Sequence, residues 1–96
     1  MKILLIALSF LLSSYSIPTN KKIVTGYVKD FKTNEMLAGV LVKNEGSNAI
    51  VYTDLDGKFT ILASENDKII LTMISYKPSY IENLKNTKII VKMIDL

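Results

Sequence analysis

The sequence predicts an all-β fold, a sandwich of seven short strands behind an export signal. Two observations carry this. Seven runs rich in β-branched and aromatic residues recur about every ten residues, with turn-forming residues between them. No segment beyond residue 16 spaces its apolar residues as a helix would. At 96 residues the chain is sized for one domain.

Residues 1–16 have the plan of a secretory signal. Lys2 gives the charged start, Ile3 to Leu12 form an apolar run, and Ser13 to Ser16 are small and polar around Tyr15. Ser14 and Ser16 suit a cleavage site, so cleavage is expected after Ser16, with an uncleaved N-terminal anchor as the alternative. The apolar run is too short for a bilayer, which needs about 20 residues, so no stable membrane insertion is expected after cleavage. The chain has no Cys, which rules out both a lipid-modified N-terminus and a disulfide to support a small core. Export to the periplasm, the cell surface or the medium is the expected localisation.

Residues 17–22, with Pro18, Asn20 and two lysines, are expected to be a short lead-in. The domain is placed at residues 23–94. Ile23 to Lys29 is the first strand, with Val24, Gly26 and Val28 on one face. A glycine inside a strand signals a close neighbour or a bulge. Asp30 to Ala38 is a loop in which Asn34 best tolerates a left-handed turn, and Leu37 is expected to plug the end of the core. Gly39 to Lys43 is the second strand, Asn44 to Asn48 a turn, and Ala49 to Thr53 the third strand.

The fourth strand, Lys58 to Leu62, sets Phe59 and Ile61 on one face. Lys68 to Ile74 is apolar on both faces and is expected in the middle of its sheet. Pro78 confines the following segment, with the short strand Ser79 to Ile81, to an edge or a loop start. Lys88 to Met93 closes the domain. About 72 residues bury roughly 60% of their unfolded surface, leaving little room for an internal ligand cavity.

Composition excludes most chemistry. There is no His, Cys, Trp or Arg, and all 12 basic residues are Lys. Imidazole bases, thiolate nucleophiles and Ser-His pairs are therefore absent. Without Arg there is no bidentate fork for phosphate or guanine. The net charge of +3 comes from lysines scattered along the sequence, with no basic stripe for nucleic acid. Glu65 and Asp67 look like loop solvation rather than a general acid and base. No enzyme, no cofactor and no metal are expected.

Thr53-Asp54-Leu55-Asp56-Gly57-Lys58-Phe59 is the most informative stretch. On a calcium loop of the EF-hand kind, Asp54 and Asp56 would be ligands and Gly57 the turn glycine. Tyr52 and Ala63 then stand where Asp and a bidentate Glu are required, so the ligand set is incomplete. The stretch is instead expected to be a structural turn. Asp54 and Asp56 would accept backbone N–H bonds, Gly57 would take a positive φ, and Phe59 would enter the core. It is expected to fix the pairing of the third and fourth strands. Tyr27, Tyr52, Tyr76 and Tyr80 could form a stacking platform for sugar or peptide, or could lie at half-buried strand positions. Strand addition of an extended peptide to a sheet edge is a third binding mode, against which Pro78 and the lysines could act as blocks.

Three segments carry a family resemblance. Residues Thr33-Asn34-Glu35-Met36-Leu37-Ala38-Gly39-Val40 resemble the T-G-E-P-L-P-G-V segment of carboxypeptidase-regulatory-like domains. Thr53 to Phe59 resembles the T-D-x-D-G-x-F that follows it there. Ile69, Leu71 and Ser75-Tyr76-Lys77 resemble the later L-x-F and G-Y-K. Asn34, Met36, Ala38 and Ser75 depart from the family's Gly and Pro positions, which bears on turn rigidity. The resemblance implies a transthyretin-like, seven-stranded Greek-key sandwich. Such domains are found beside carboxypeptidase catalytic domains and at the N-terminus of TonB-dependent outer-membrane receptors of Bacteroidetes. The peptidase chemistry belongs to another domain. With no plug or barrel after Leu96, the chain is not expected to be a receptor itself. The functional expectation is a non-catalytic exported module docking a protein partner in the cell envelope, linked to outer-membrane uptake. The alternative is a small carbohydrate- or peptide-binding module.

Overall fold

The computed structural model describes residues 21–96. The expected signal, Met1 to Ser16, and most of the expected lead-in lie outside the described residues. Seven strands follow in order: β1 Lys21–Asp30, β2 Leu41–Asn44, β3 Ile50–Tyr52, β4 Lys58–Ser64, β5 Ile69–Thr72, β6 Ser79–Ile81 and β7 Lys88–Met93. No helix occurs among the described residues. β1 starts at Lys21, so Lys21 and Lys22 belong to a strand rather than to the lead-in.

The strands form two sheets, one ordered β4-β1-β7 and one ordered β3-β2-β5-β6. β1 is central in the first sheet. It pairs antiparallel with β4, Gly26 facing Phe59, and parallel with β7, Tyr27 facing Ile90. β2 and β5 are central in the second sheet. The position of β5 agrees with its two apolar faces, and β6, after Pro78, is an edge strand.

The inner faces follow the alternation in the sequence. Val24 and Val28 of β1 face Val42 of β2 and Ile69 and Leu71 of β5, all fully buried. Phe59, Ile61 and Ala63 of β4 and Met93 of β7 complete this layer, and Leu37 and Leu84 close its ends. Burial of each large side chain contributes about 1.5–3 kcal/mol. Gly26 has a packing reason: a Cβ there would overlap the Phe59 ring and crowd Ile89. The ring lies across β1 in the space that Gly26 leaves.

One expectation is corrected. The Thr53–Phe59 stretch does not fix the pairing of β3 with β4, because β3 and β4 lie in different sheets. β3 pairs with β2, and β4 pairs with β1. The turn carries the chain from one layer of the sandwich to the other. The same turn residues serve a hairpin and such a crossing, and distant strands decide between them.

Candidate functional site

The crossing turn is built on backbone N–H groups collected by the side chains of Asp54 and Thr53, whereas Asp56, expected to accept such bonds as well, contributes only its own N–H. Asp54 Oδ1 accepts the N–H groups of Asp56 and Lys58, each at 2.9 Å. Gly57 N–H donates to the Asp54 carbonyl at 3.0 Å, and Asp54 N–H to the Lys58 carbonyl at 2.9 Å. Gly57 has φ +74°. Buried Thr53 anchors the start: its hydroxyl donates to the Leu37 carbonyl at 2.6 Å and accepts the Val40 N–H at 2.9 Å. The Asp54 oxygen is thus committed to the turn. Among the described residues, no group of three or more His, Cys, Asp or Glu side chains lies close enough to hold a metal ion.

Two polar pins, neither evident in the sequence, tie the layers together. At one end, the Tyr76 hydroxyl donates to Asp30 Oδ2 at 2.7 Å, and Asp30 Oδ1 accepts the N–H groups of Lys32 and Thr33. The Thr33 N–H, followed by the Tyr76 hydroxyl, holds the Asp30 carboxyl below the ordinary 3.8. Tyr76 is pushed up to about 12, first by its bond to Asp30 and then by burial. At the other end, fully buried Asn44 donates from Nδ2 to the Leu62 carbonyl (3.1 Å) and to Asp67 Oδ2 (3.0 Å). Its Oδ1 accepts the N–H groups of Gly46 and Ser47. Asp67, read from the sequence as loop solvation, is a structural acceptor. The Ser64 N–H at 2.8 Å, followed by Asn44, holds its carboxyl below the ordinary value.

The four tyrosines do not make one platform. Tyr76 is pinned to Asp30. Tyr27 lies on the outer face of the three-stranded sheet. Tyr52 and Tyr80 share the outer face of the four-stranded sheet but sit in different rows on its two edge strands, which are three strand spacings or about 14 Å apart.

The two outer faces differ in chemistry. On the four-stranded sheet, Ile50, Lys43, Ile70 and Tyr80 form one row, and Tyr52, Leu41 and Thr72 form the next. Ile50, Tyr52 and Tyr80 are 50%, 62% and 56% exposed. The face is apolar and aromatic around a single lysine. At its margin, Lys68 Nζ sits 4.7 Å from the centre of the Tyr80 ring. Beside it, Gly39, Thr72, Met73, Ile74, Tyr76 and Pro78 line an open groove of about 470 Å³. On the three-stranded sheet, the outer face carries Lys29, Lys58, Lys88 and Lys92 around Tyr27 and Ile90, with no carboxylate among the facing strand residues. These lysines are scattered in the sequence and gathered by the register.

The outer face of the four-stranded sheet thus exposes Ile50, Tyr52 and Tyr80, and that of the three-stranded sheet gathers lysines. The chain is 30% identical over 91 residues to the TonB-dependent receptor SusC of Bacteroides thetaiotaomicron, covering 95% of this chain and 9% of the receptor. Residues 24–94 match the family model of the CarboxypepD_reg-like domain. With most of its length matched in this way, the chain belongs to the CarboxypepD_reg-like domain family.

Proposed function

We propose that this domain is a non-catalytic, exported docking module that binds a protein partner in the cell envelope through the outer face of its four-stranded sheet. The carrying observation is the group of exposed Ile50, Tyr52 and Tyr80 and half-buried Leu41 and Ile70, set around Lys43 on one face. Contiguous apolar surface of this kind on a small domain marks an interaction site. Its aromatic content is that of a protein interface core. The transthyretin-like Greek-key topology is part of the same reading, supported by two packed sheets in which the first strand pairs with the fourth and the last. The similarity to a TonB-dependent receptor supports an envelope location in the periplasm or at the cell surface, and a link to uptake. The signal-like residues 1–16 support export.

The test is capture of the tagged full chain from native envelopes, in parallel with an Ile50→Ser, Tyr80→Ser double variant. A discrete protein recovered with the wild type and lost with the variant is expected. Equal recovery with both would refute the assignment of this face. The groove beside Tyr76 and Pro78 favours a second reading, in which the module binds a small carbohydrate or a short peptide. Glycan and peptide arrays test it directly, with Ile74→Asp as the control that removes binding.

A further inference from the structure

We propose that β7 is an edge that accepts an extended acidic strand of a partner polypeptide. The backbone groups that would hold it are identifiable. Thr25 N–H donates to the Thr87 carbonyl and Phe31 N–H to the Met93 carbonyl, each at 2.8 Å. Alternation along a strand then turns the polar groups of Ile89, Val91 and Met93 toward β1. Those of Lys88, Ile90 and Lys92 turn away from it. Among the described residues, no strand other than β1 pairs with β7, and the segment 75–77 bonds to the residues that follow it, 94–96. The opposite edge of this sheet differs: on β4, the outward Leu62 carbonyl is capped by Asn44 Nδ2. The edge strands of the other sheet have only three residues each.

Side chains specify the partner's chemistry. On the outer face, β7 presents Lys88, Ile90 and Lys92, with Ile90 64% exposed. Lys92 stands directly opposite Lys29 on β1. Like charges facing each other across strands are unfavourable, and an incoming carboxylate would relieve them. The two ion pairs among the described residues, Lys32–Asp95 and Lys68–Glu82, lie elsewhere. On the inner face, Ile89 and Val91 are half-buried and would be covered by a neighbouring strand. The fitting sequence is therefore carboxylate, apolar, apolar, apolar, carboxylate, with the carboxylates beside Lys88 and Lys92.

A second copy of this chain does not fit. Antiparallel pairing of two β7 strands about Ile90 would set Lys88 against Lys92 of the other copy, and parallel pairing would set each lysine against itself. Edge lysines obstruct indiscriminate pairing, and the same two lysines admit a strand with carboxylates at matching positions. An anionic lipid would satisfy the lysines but leave the backbone donors and acceptors of the edge without strand partners. The inference rests on the docking reading only in taking the ligand to be a polypeptide, and it concerns a different surface.

The test uses the isotopically labelled full chain and the peptide Thr-Glu-Val-Val-Val-Glu-Thr, read by amide hydrogen exchange. Slowed exchange at Lys88, Ile90 and Lys92 is expected, with no change on the four-stranded sheet. The variant Lys88→Glu, Lys92→Glu should bind this peptide at least about tenfold more weakly. It should gain binding to Thr-Lys-Val-Val-Val-Lys-Thr. Its melting temperature should not fall, because Lys92→Glu turns the Lys29 contact attractive. Ile90→Pro removes an outward donor while leaving the β1 ladder donors, and should abolish binding with the Ile89 and Val91 amides still protected. Unchanged exchange at the three residues, or equal slowing by phosphatidylglycerol vesicles, would overturn the proposal. Capture of an envelope protein that depends on Ile50 and Tyr80 would stand independently of either result.

Discussion

Replacing Gly57 by alanine should cost clearly more stability than replacing Gly39, although the two backbones are nearly alike. Gly57 has φ +74° and Gly39 φ +77°. An L-residue in this region costs about 1–2 kcal/mol, and that part is common to both. The surroundings differ. A Cβ at Gly39 meets nothing within 4 Å, whereas one at Gly57 would lie 2.7 Å from the Val28 carbonyl oxygen and 3.1 Å from Met36 Cβ. The Val28 oxygen cannot easily retreat, because it accepts the Leu37 N–H at 2.9 Å while Val28 N–H donates to the Gly57 carbonyl at 2.8 Å. Overpacking of this kind adds about 1–3 kcal/mol. Gly39→Ala is therefore expected to cost about 1–2 kcal/mol and Gly57→Ala about 2–5 kcal/mol. Asparagine separates the two contributions, since it tolerates positive φ. Gly39→Asn should be close to neutral and Gly57→Asn should not. Urea unfolding of the four variants, at unchanged slope, measures the differences. Equal losses at the two sites would refute the steric part of the reasoning. No loss at Gly57 would refute the turn altogether.

Asn44→Ala removes the pin between the sheets and leaves buried partners without bonds, for an expected loss of about 2–3 kcal/mol in the same assay. Gly26→Ala forces the Phe59 ring aside and should cost about 1–3 kcal/mol, with part recovered on adding Phe59→Leu as a double-mutant cycle. The carboxyls of Asp30 and Asp67 are both lower in the folded state than when unfolded. Their contribution to stability is therefore present above the ordinary value of 3.8 and lost as pH falls through the folded values, a loss measurable as a falling urea midpoint. Tyr76 runs the other way. Its contribution is complete below 10 and is lost as pH rises toward about 12, so tyrosinate absorbance should show one late-titrating ring that Tyr76→Phe removes.

The existence and order of the strands were legible because each inner face alternates apolar residues with a period of two. Val24 and Val28, or Phe59 and Ile61, leave little choice of which side is buried. The positive φ of Asn34 (61°) and Gly57 was legible for a similar reason, since few residues tolerate that conformation. Assignment of strands to sheets was not legible. Nothing local in Thr53–Phe59 distinguishes a hairpin from a crossing, and the outcome rests on the pairing of β4 with β1, far back in the chain. The polar pins were hidden similarly. Asp30 meets Tyr76 across 46 positions and Asn44 meets Asp67 across 23, so each partner alone reads as an ordinary loop residue. The lysine face was hidden because its members come from three strands, and only register sets Lys29 beside Lys92.

The parallel pairing of β1 with β7 has a mechanical consequence. The described chain begins β1 at Lys21 and leaves β7 at Met93, which faces Asp30 at the far end of β1. The two points lie at opposite ends of the sheet, about 30 Å apart along nine strand steps. A pull on the two ends would load the β1–β7 ladder in shear, along the strands. The bonds from Thr25 to Phe31 would then carry the load together, where a hairpin pulled open at its ends would yield one bond at a time. Tension applied along β1 and β7 would therefore be shared by several bonds at once.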